Sequence, residues 1–285
     1  NKYFIVDSKY ILTGSTNLTD GMFKHFNNMV VIKNSELAVH FQRDFDALYA
    51  GYFSGTTGCS LTSETGKDLY FDTVLGNGSD INWENNILSI GSHTIGVYFT
   101  PYQATFPEYY GCTDGDASGN DGISYLLDNG TTENYGHALN IVLQLVKSAK
   151  KDIYLLAFSF TDAVLIDLLK KAYTERGVDV RVWMDYSQWR SSLSHSAEKI
   201  ENLASTIGHV KITKKPGGLL HHKVILIDGK TVILGSMNFS NNAVTKNDEN
   251  FLVIKNAPSL GSAFKQEARR IDAYSDYHLN SFYVE

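Results

Sequence analysis

His221-His222-Lys223-Val224-Ile225-Leu226-Ile227-Asp228-Gly229-Lys230-Thr231-Val232-Ile233-Leu234-Gly235-Ser236-Met237-Asn238 carries two apolar strands, Lys223 to Ile227 and Thr231 to Leu234. Side chains alternate faces along a strand, so His221 and Lys223 point the same way, into one pocket. Gly235 lets the backbone turn closely and presents Ser236 and Asn238 beside them. An imidazole, an ammonium, a hydroxyl and an amide on one side make a phosphate site. Lysine and asparagine stabilise negative oxygens there while histidine attacks or donates a proton. Glu249, downstream, is a candidate acceptor for the other ring N–H of a histidine, fixing its tautomer. A lone His-x-Lys is more often a satisfied core histidine beside an ordinary lysine, but the full string outweighs that reading.

The string is partly duplicated. Lys2-x4-Asp7-x6-Gly14-Ser15-x-Asn17 matches Lys223-x4-Asp228-x6-Gly235-Ser236-x-Asn238, every position offset by 221 residues. Asn28-Met29-Val30-Val31-Ile32 then parallels Asn250-Phe251-Leu252-Val253-Ile254, the intervening loop being one residue shorter in the first copy. An amphipathic helix follows each: Glu36 to Tyr49, with Leu37, Phe41, Phe45 and Leu48 on one face, and Leu260 to Tyr274, with Phe264, Ala268 and Ile271.

Around the second copy, Thr94 to Thr100, Asp152 to Phe160, Val178 to Met184, His209 to Thr213 and Phe251 to Ile254 read as further strands. Tyr135 to Lys150, Asp162 to Arg176 and Ala197 to Ile207 read as helices, the second stopped by Gly177. Apolar strands separated by helices predict a mixed α/β sheet covered on both faces. No strands precede the first copy, so the first domain is expected to lack its front half. The expected organisation is 1–50 for that half-domain, 51–92 for an insertion or linker with a small hairpin, and 93–285 for the second domain, interrupted by a loop at about 111–134.

The chain has 285 residues, 43% of them hydrophobic, enough for one large core or two medium ones. A net charge of −6 requires any phosphate site to be locally basic. No apolar run approaches a membrane span of roughly 18 to 20 residues. Cys59 and Cys112 flank a polar stretch. Two buried thiols are one reading; an even count at the ends of a polar insertion favours a disulfide and an extracellular or otherwise extracytoplasmic home. Asp114, Asp116 and Ser118, followed by Gly119, match the opening of a calcium loop. Tyr125 then stands where a bidentate Glu is needed, leaving Asp121 or Asp128 to substitute. A structural calcium remote from His221 and a plain Gly- and Asp-rich surface loop are the two readings.

The motifs resemble the HxKxxxxD strings of the phospholipase D superfamily, with its Gly-Ser-x-Asn extension and a trailing acidic-Asn pair, here Glu249-Asn250. The resemblance covers the second domain and the back half of the first. It implies two α/β/α domains with mixed sheets, related by a pseudo-twofold axis, whose motifs meet at one site. One histidine becomes a phosphohistidine; the other protonates the leaving oxygen and then activates water. No metal or cofactor is implied for catalysis. Carried over by position, His221, Lys223, Ser236, Asn238 and Glu249 are catalytic or phosphate-binding, with Asp228 more structural. Lys2, Ser15 and Asn17 line the other side, supported by Asp7.

Two departures matter. The first-motif histidine would sit immediately before Asn1, so it is expected from a preceding segment, either a separate chain or one cleaved within the motif. Asn27 stands where the second copy has Glu249, so the two histidines should not be equivalent. By resemblance the first-motif histidine attacks and His221 serves as general acid and base. After Gly-Ser-x-Asn the strings continue Leu18-Thr19-Asp20-Gly21 and Phe239-Ser240-Asn241-Asn242, without the Arg-Ser of phospholipid synthases and many phospholipases. That looks more like the nuclease branch. Lys211, Lys214, Lys215, His221, His222 and Lys223 cluster and suit a nucleic-acid backbone, though solvated loop lysines are an equal reading. Tyr154, Tyr186 and Trp189 are candidate base-stacking rings, or ordinary core. The expected function is an endonuclease-like phosphodiesterase. A phospholipase is the second reading, and a phosphate-binding member without turnover the third.

Overall fold

The computed structural model describes residues 1–49, 87–100, 123–126, 132–135, 137–192, 197–240, 242–243, 247–275 and 277–278. Cys59, Cys112 and the candidate calcium ligands Asp114, Asp116 and Ser118 lie outside them.

The first copy forms β1 (Tyr3–Val6), β2 (Tyr10–Gly14) and β3 (Met29–Lys33), an antiparallel three-stranded sheet, followed by α1 (Ser35–Tyr49). Then come β4 (Ile87–Ile90), β5 (His93–Thr100), β6 (Ile123–Leu126), β7 (Thr132–Tyr135), α2 (His137–Ser148), β8 (Asp152–Ala157) and α3 (Ala163–Arg176). β9 (Asp179–Asp185), α4 (Tyr186–Ser192), α5 (Ala197–Ile207), β10 (Val210–Thr213), β11 (Lys223–Ile227), β12 (Thr231–Gly235), β13 (Glu249–Lys255), α6 (Pro258–Asp272) and β14 (Tyr277–His278) complete the order. Nine strands form one mixed sheet, ordered β14-β10-β9-β8-β11-β12-β13-β5-β4, in which β8, β9 and β10 run parallel. The fold is mixed α/β, as predicted.

Two boundaries differ from the sequence reading. β4, expected within the 51–92 linker, pairs with β5 from Ile87↔Gly96 to Ile90↔His93, so the large sheet begins before residue 93. The expected loop at 111–134 holds an antiparallel β6–β7 hairpin instead. The helix ends follow their signals: Asp162 accepts the Leu165 N–H to start α3, and Gly177 ends it at φ 66°.

Strand alternation explains two cores on one sheet. Ile225, Ile227 and Ile233 pack under the helices with Leu143 and Leu165. Val224, Leu226, Val232 and Leu234 face the other way, against Phe264 and Ile271 of α6 and against Ile11, Phe26, Leu37 and Phe41 of the first copy. Both faces are covered, hence the unbroken apolar strands. In the first copy Phe4, Val6, Met29 and Val31 are exposed, whereas their counterparts Ile225, Ile227, Phe251 and Val253 are buried. On α1, Leu37 and Phe41 are buried as predicted; Phe45 is exposed and stacks on Tyr49.

Candidate active site

β11 begins where the first copy crosses the second. Phe26 N–H donates to Leu219 O at 2.8 Å, and His221 N–H donates to Phe26 O at 2.9 Å. Asp185, buried at the end of β9, accepts the Leu220 N–H at 2.8 Å and fixes the approach to His221. The His221 ring lies with Nδ1 2.9 Å from Ser15 O and 3.2 Å from Asn27 Oδ1. Both neighbours are acceptors, so Nδ1 carries the proton and Nε2 keeps its lone pair. Lys223 Nζ donates to His221 O at 3.1 Å and sits 3.3 Å from His221 Nε2. Burial first, then Lys223, draws the His221 pKa down to about 3. Burial and the nearby Lys2 ammonium draw Lys223 down to about 7. Two lysines thus flank a neutral imidazole, with the Glu249 and Asp185 carboxylates also acting on Lys223.

Gly14-Ser15 and Gly235-Ser236 dock the next strand in the same way. A Cβ on either glycine would collide with the carbonyl oxygen of Asn28 or Asn250. Ser15 N–H donates to Asn28 O at 3.0 Å, and Ser236 N–H to Asn250 O at 2.8 Å. The Asn28 and Asn250 N–H groups return the bond to the serine Oγ, each at 3.0 Å. Both serines are fully buried, and this geometry makes each a clamp between neighbouring strands. Lys2 and Asn17 line one cleft with Thr13 and Thr16, and Asn238 Oδ1 is buried with no partner among the described residues.

Asp228 lies at the far end of β11. Five strand residues of roughly 3.3 Å each separate it from the His221 end of β11. Its carboxylate accepts from Lys150, Lys151 and Asp152 N–H, the closest at 2.7 Å. Asp228 and Gly229 have φ of 52° and 68°, as Asp7 and Ser8 have 54° and 48°. Each aspartate therefore opens a three-residue hairpin loop, Asp7 to Lys9 and Asp228 to Lys230, whose first two residues take left-handed backbone, which Asp tolerates. Asp7 is exposed.

Glu249 does not touch His221; Asn27 does, from the other copy. Glu249 Oε2 lies 3.9 Å from the Asn1 backbone nitrogen. Acid and amide thus cross over between copies. The lysine cluster is partly committed: Lys211 is paired with Asp272 at 2.8 Å, and Lys215 bonds to Lys24 O. Trp189 is buried, and Tyr154 stacks on Trp183 with Arg181 and Lys265 over its ring, so neither is presented to bases. Tyr186 lies under Lys214 Nζ, 4.8 Å from the ring centre.

The family sequence model described as "Cardiolipin synthase, PLD-like domain" matches residues 1–49 and 142–271, more than half of the chain. The chain belongs to the phospholipase D-like family. Among its phospholipase D-like relatives, "Phospholipase D" of Rickettsia conorii is 38% identical over 110 residues, 39% of this chain and 52% of that protein. "Mitochondrial cardiolipin hydrolase" of Danio rerio is 32% identical over 138 residues, 47% of this chain and 57% of that one. The chain thus spans about half the length of the curated relatives it matches. The phosphatidylserine synthase of Haemophilus influenzae Rd KW20 superposes with TM-score 0.60 over 96% of this chain and 61% of its own, at 14% identity, a likeness of fold.

Sequence reasoning misses three residues of this phospholipase D-like site. Phe158 tilts over His221 with ring centres 4.6 Å apart and underlies Lys223 at 5.0 Å. His25 lies 6.1 Å from the His221 ring and accepts the Leu219 N–H. Asp185 carries no motif; its only signal is an acid ending an apolar strand.

Proposed function

We propose that this site hydrolyses phosphodiesters through a phosphohistidine, most readily those of nucleic acids. The observation that carries it is the convergence of Lys2 from one copy and Lys223 from the other on the His221 imidazole. Lys2, Lys223, Asn17 and Asn238 hold the non-bridging oxygens. A histidine joined ahead of Asn1 in a longer chain stands beside Glu249, whose carboxylate offsets the positive charge its ring gains on attack. Its nitrogen forms the P–N bond, the P–O bond to the leaving alcohol breaks, and His221 Nε2 gives that oxygen a proton. Water then attacks phosphorus, yields its proton to His221 and releases the first histidine. His221, with only neutral acceptors at Nδ1, gains its proton when the phosphodiester anion binds. No metal or cofactor takes part in these steps.

Nucleic acid is favoured by the strings after Gly-Ser-x-Asn and by Lys211, Lys214 and Lys215, shortly before His221 in the sequence. A second reading, phospholipid, draws on the relatives named phospholipase D and cardiolipin hydrolase and on the exposed apolar Leu18 and Phe23. The test offers the intact protein, with whatever precedes Asn1, plasmid DNA, RNA and phosphatidylcholine in parallel without added metal. Nicked or degraded nucleic acid, lost in His221→Ala, is the expected result. Release of head group alone moves the assignment to the second reading. No turnover, or turnover that survives His221→Ala, overturns the mechanism.

A further inference from the structure

The residue between the histidine and lysine of each motif points to the opposite face from both. In the second copy this is His222, fully buried; in the first it is Asn1. Asn28 Nδ2–H donates to His222 Nδ1 at 2.9 Å, and His222 Nε2–H donates to Glu267 Oε1 at 2.9 Å. Asn250 Nδ2–H donates to Asn1 Oδ1 at 3.0 Å, and Asn1 Nδ2–H donates to Asp44 Oδ2 at 3.1 Å. Asn28 and Asn250 are matched positions of the repeat. Glu267 and Asp44 are each the tenth residue of their helix, α6 and α1. Each chain of bonds leaves one copy, passes through the motif strand of the other and ends on that copy's helix.

We propose that these two crossed relays, Asn28–His222–Glu267 and Asn250–Asn1–Asp44, hold the motif strands in register and so position the catalytic groups on either side of them. His222 and Asn1 differ in size and charge but offer the same sequence of one acceptor and one donor. Packing alone gives no reason for unlike residues to repeat one bond pattern. The ends are anchored too. Glu267 takes two bonds from Arg270, each 2.6 Å, and Asp44 a second from Tyr3 OH at 2.7 Å. His221 and Lys223 flank His222 directly, so a strand released at its back moves both.

The inference rests on the phosphodiesterase reading for its kinetic consequence. In the intact protein, with bis(4-nitrophenyl) phosphate as probe, His222→Leu is expected to lower kcat by about a hundredfold while KM changes much less, as misplacement by about an ångström does. His222→Asn, the residue of the other relay, is expected to recover at least ~10-fold of that loss. Equal kcat in the Leu and Asn variants, or a Leu variant matching the parent, overturns the relay. A second measurement needs no turnover: nitrogen-detected NMR of the imidazoles. His222 is expected as the neutral Nε2–H tautomer, with that signature lost in Asn28→Leu. A Nδ1–H tautomer, or one indifferent to Asn28→Leu, also overturns it. A parent protein that turns over no phosphodiester counts against the proposed function instead, and the NMR result still decides the relay.

Discussion

Lys223 keeps an ammonium at 2% exposure, and burial with the neighbouring Lys2 draws its pKa from 10.5 to about 7. Between those values the unfolded chain binds the extra proton, so stability rises with pH across that window and the cost is fully present below it. Lys223→Met should therefore raise the thermal midpoint at pH 7, by roughly 2–4 °C per kcal/mol recovered, while abolishing turnover. The gap to the parent should close toward pH 10. A variant less stable than the parent at pH 7 would show that the charge is already compensated. The same titration sets an alkaline limb: kcat/KM should fall as pH rises through about 7, because the free site then loses a cation. A profile flat to pH 9 contradicts it. His221 works in the opposite range. It stays neutral when folded down to about 3, so the unfolded chain gains protons first below pH 6.5 and stability drains away as pH falls toward 3.

At the scale of elements, the motif aspartates belong to turns. Asp228→Ala removes the acceptor for three backbone N–H groups and should cost about 1–3 kcal/mol in denaturant unfolding, with kcat reduced far less than by His221→Ala. A kcat loss as large as that of His221→Ala would return Asp228 to the site. Gly235→Ala should be worse for the fold, since its Cβ meets the carbonyl of Asn250 across the β12–β13 pair. The elements themselves are legible in the sequence because their signals are local: α5 spans Ala197–Ile207 as read, and β8 starts at Asp152. The crossed contacts are not. Asn28 and His222 are 194 residues apart, and no periodicity reports such a pair. Glu249 illustrates the same gap: its place near His221 in the repeat suggests a bond that space assigns to Asn27. Phe45 fails because an amphipathic pattern names a face without saying how far along the helix that face stays covered.

At the scale of the molecule, the site belongs to neither copy. His221 is oriented by Ser15 and Asn27, and the motif strands are tied through each other's asparagines. Anything that separates the copies removes the site before it unfolds either. The core between them contains Trp183, which is buried, stacks on Tyr154 and donates to Asp272 at 2.6 Å. Trp189 lies in the other core, beneath the helices. The chain has three tryptophans, so two sit on opposite faces of one sheet and give a built-in optical pair. With Trp83→Phe and Trp189→Phe combined, the emission follows the seam between copies; with Trp83→Phe and Trp183→Phe combined, it follows the helical layer. A sheet shared by both cores should make the two red shifts coincide along a urea titration. Emission from the seam shifting at lower urea would mean that the copies part while the helical layer still stands, and that the site can be taken apart without unfolding the chain.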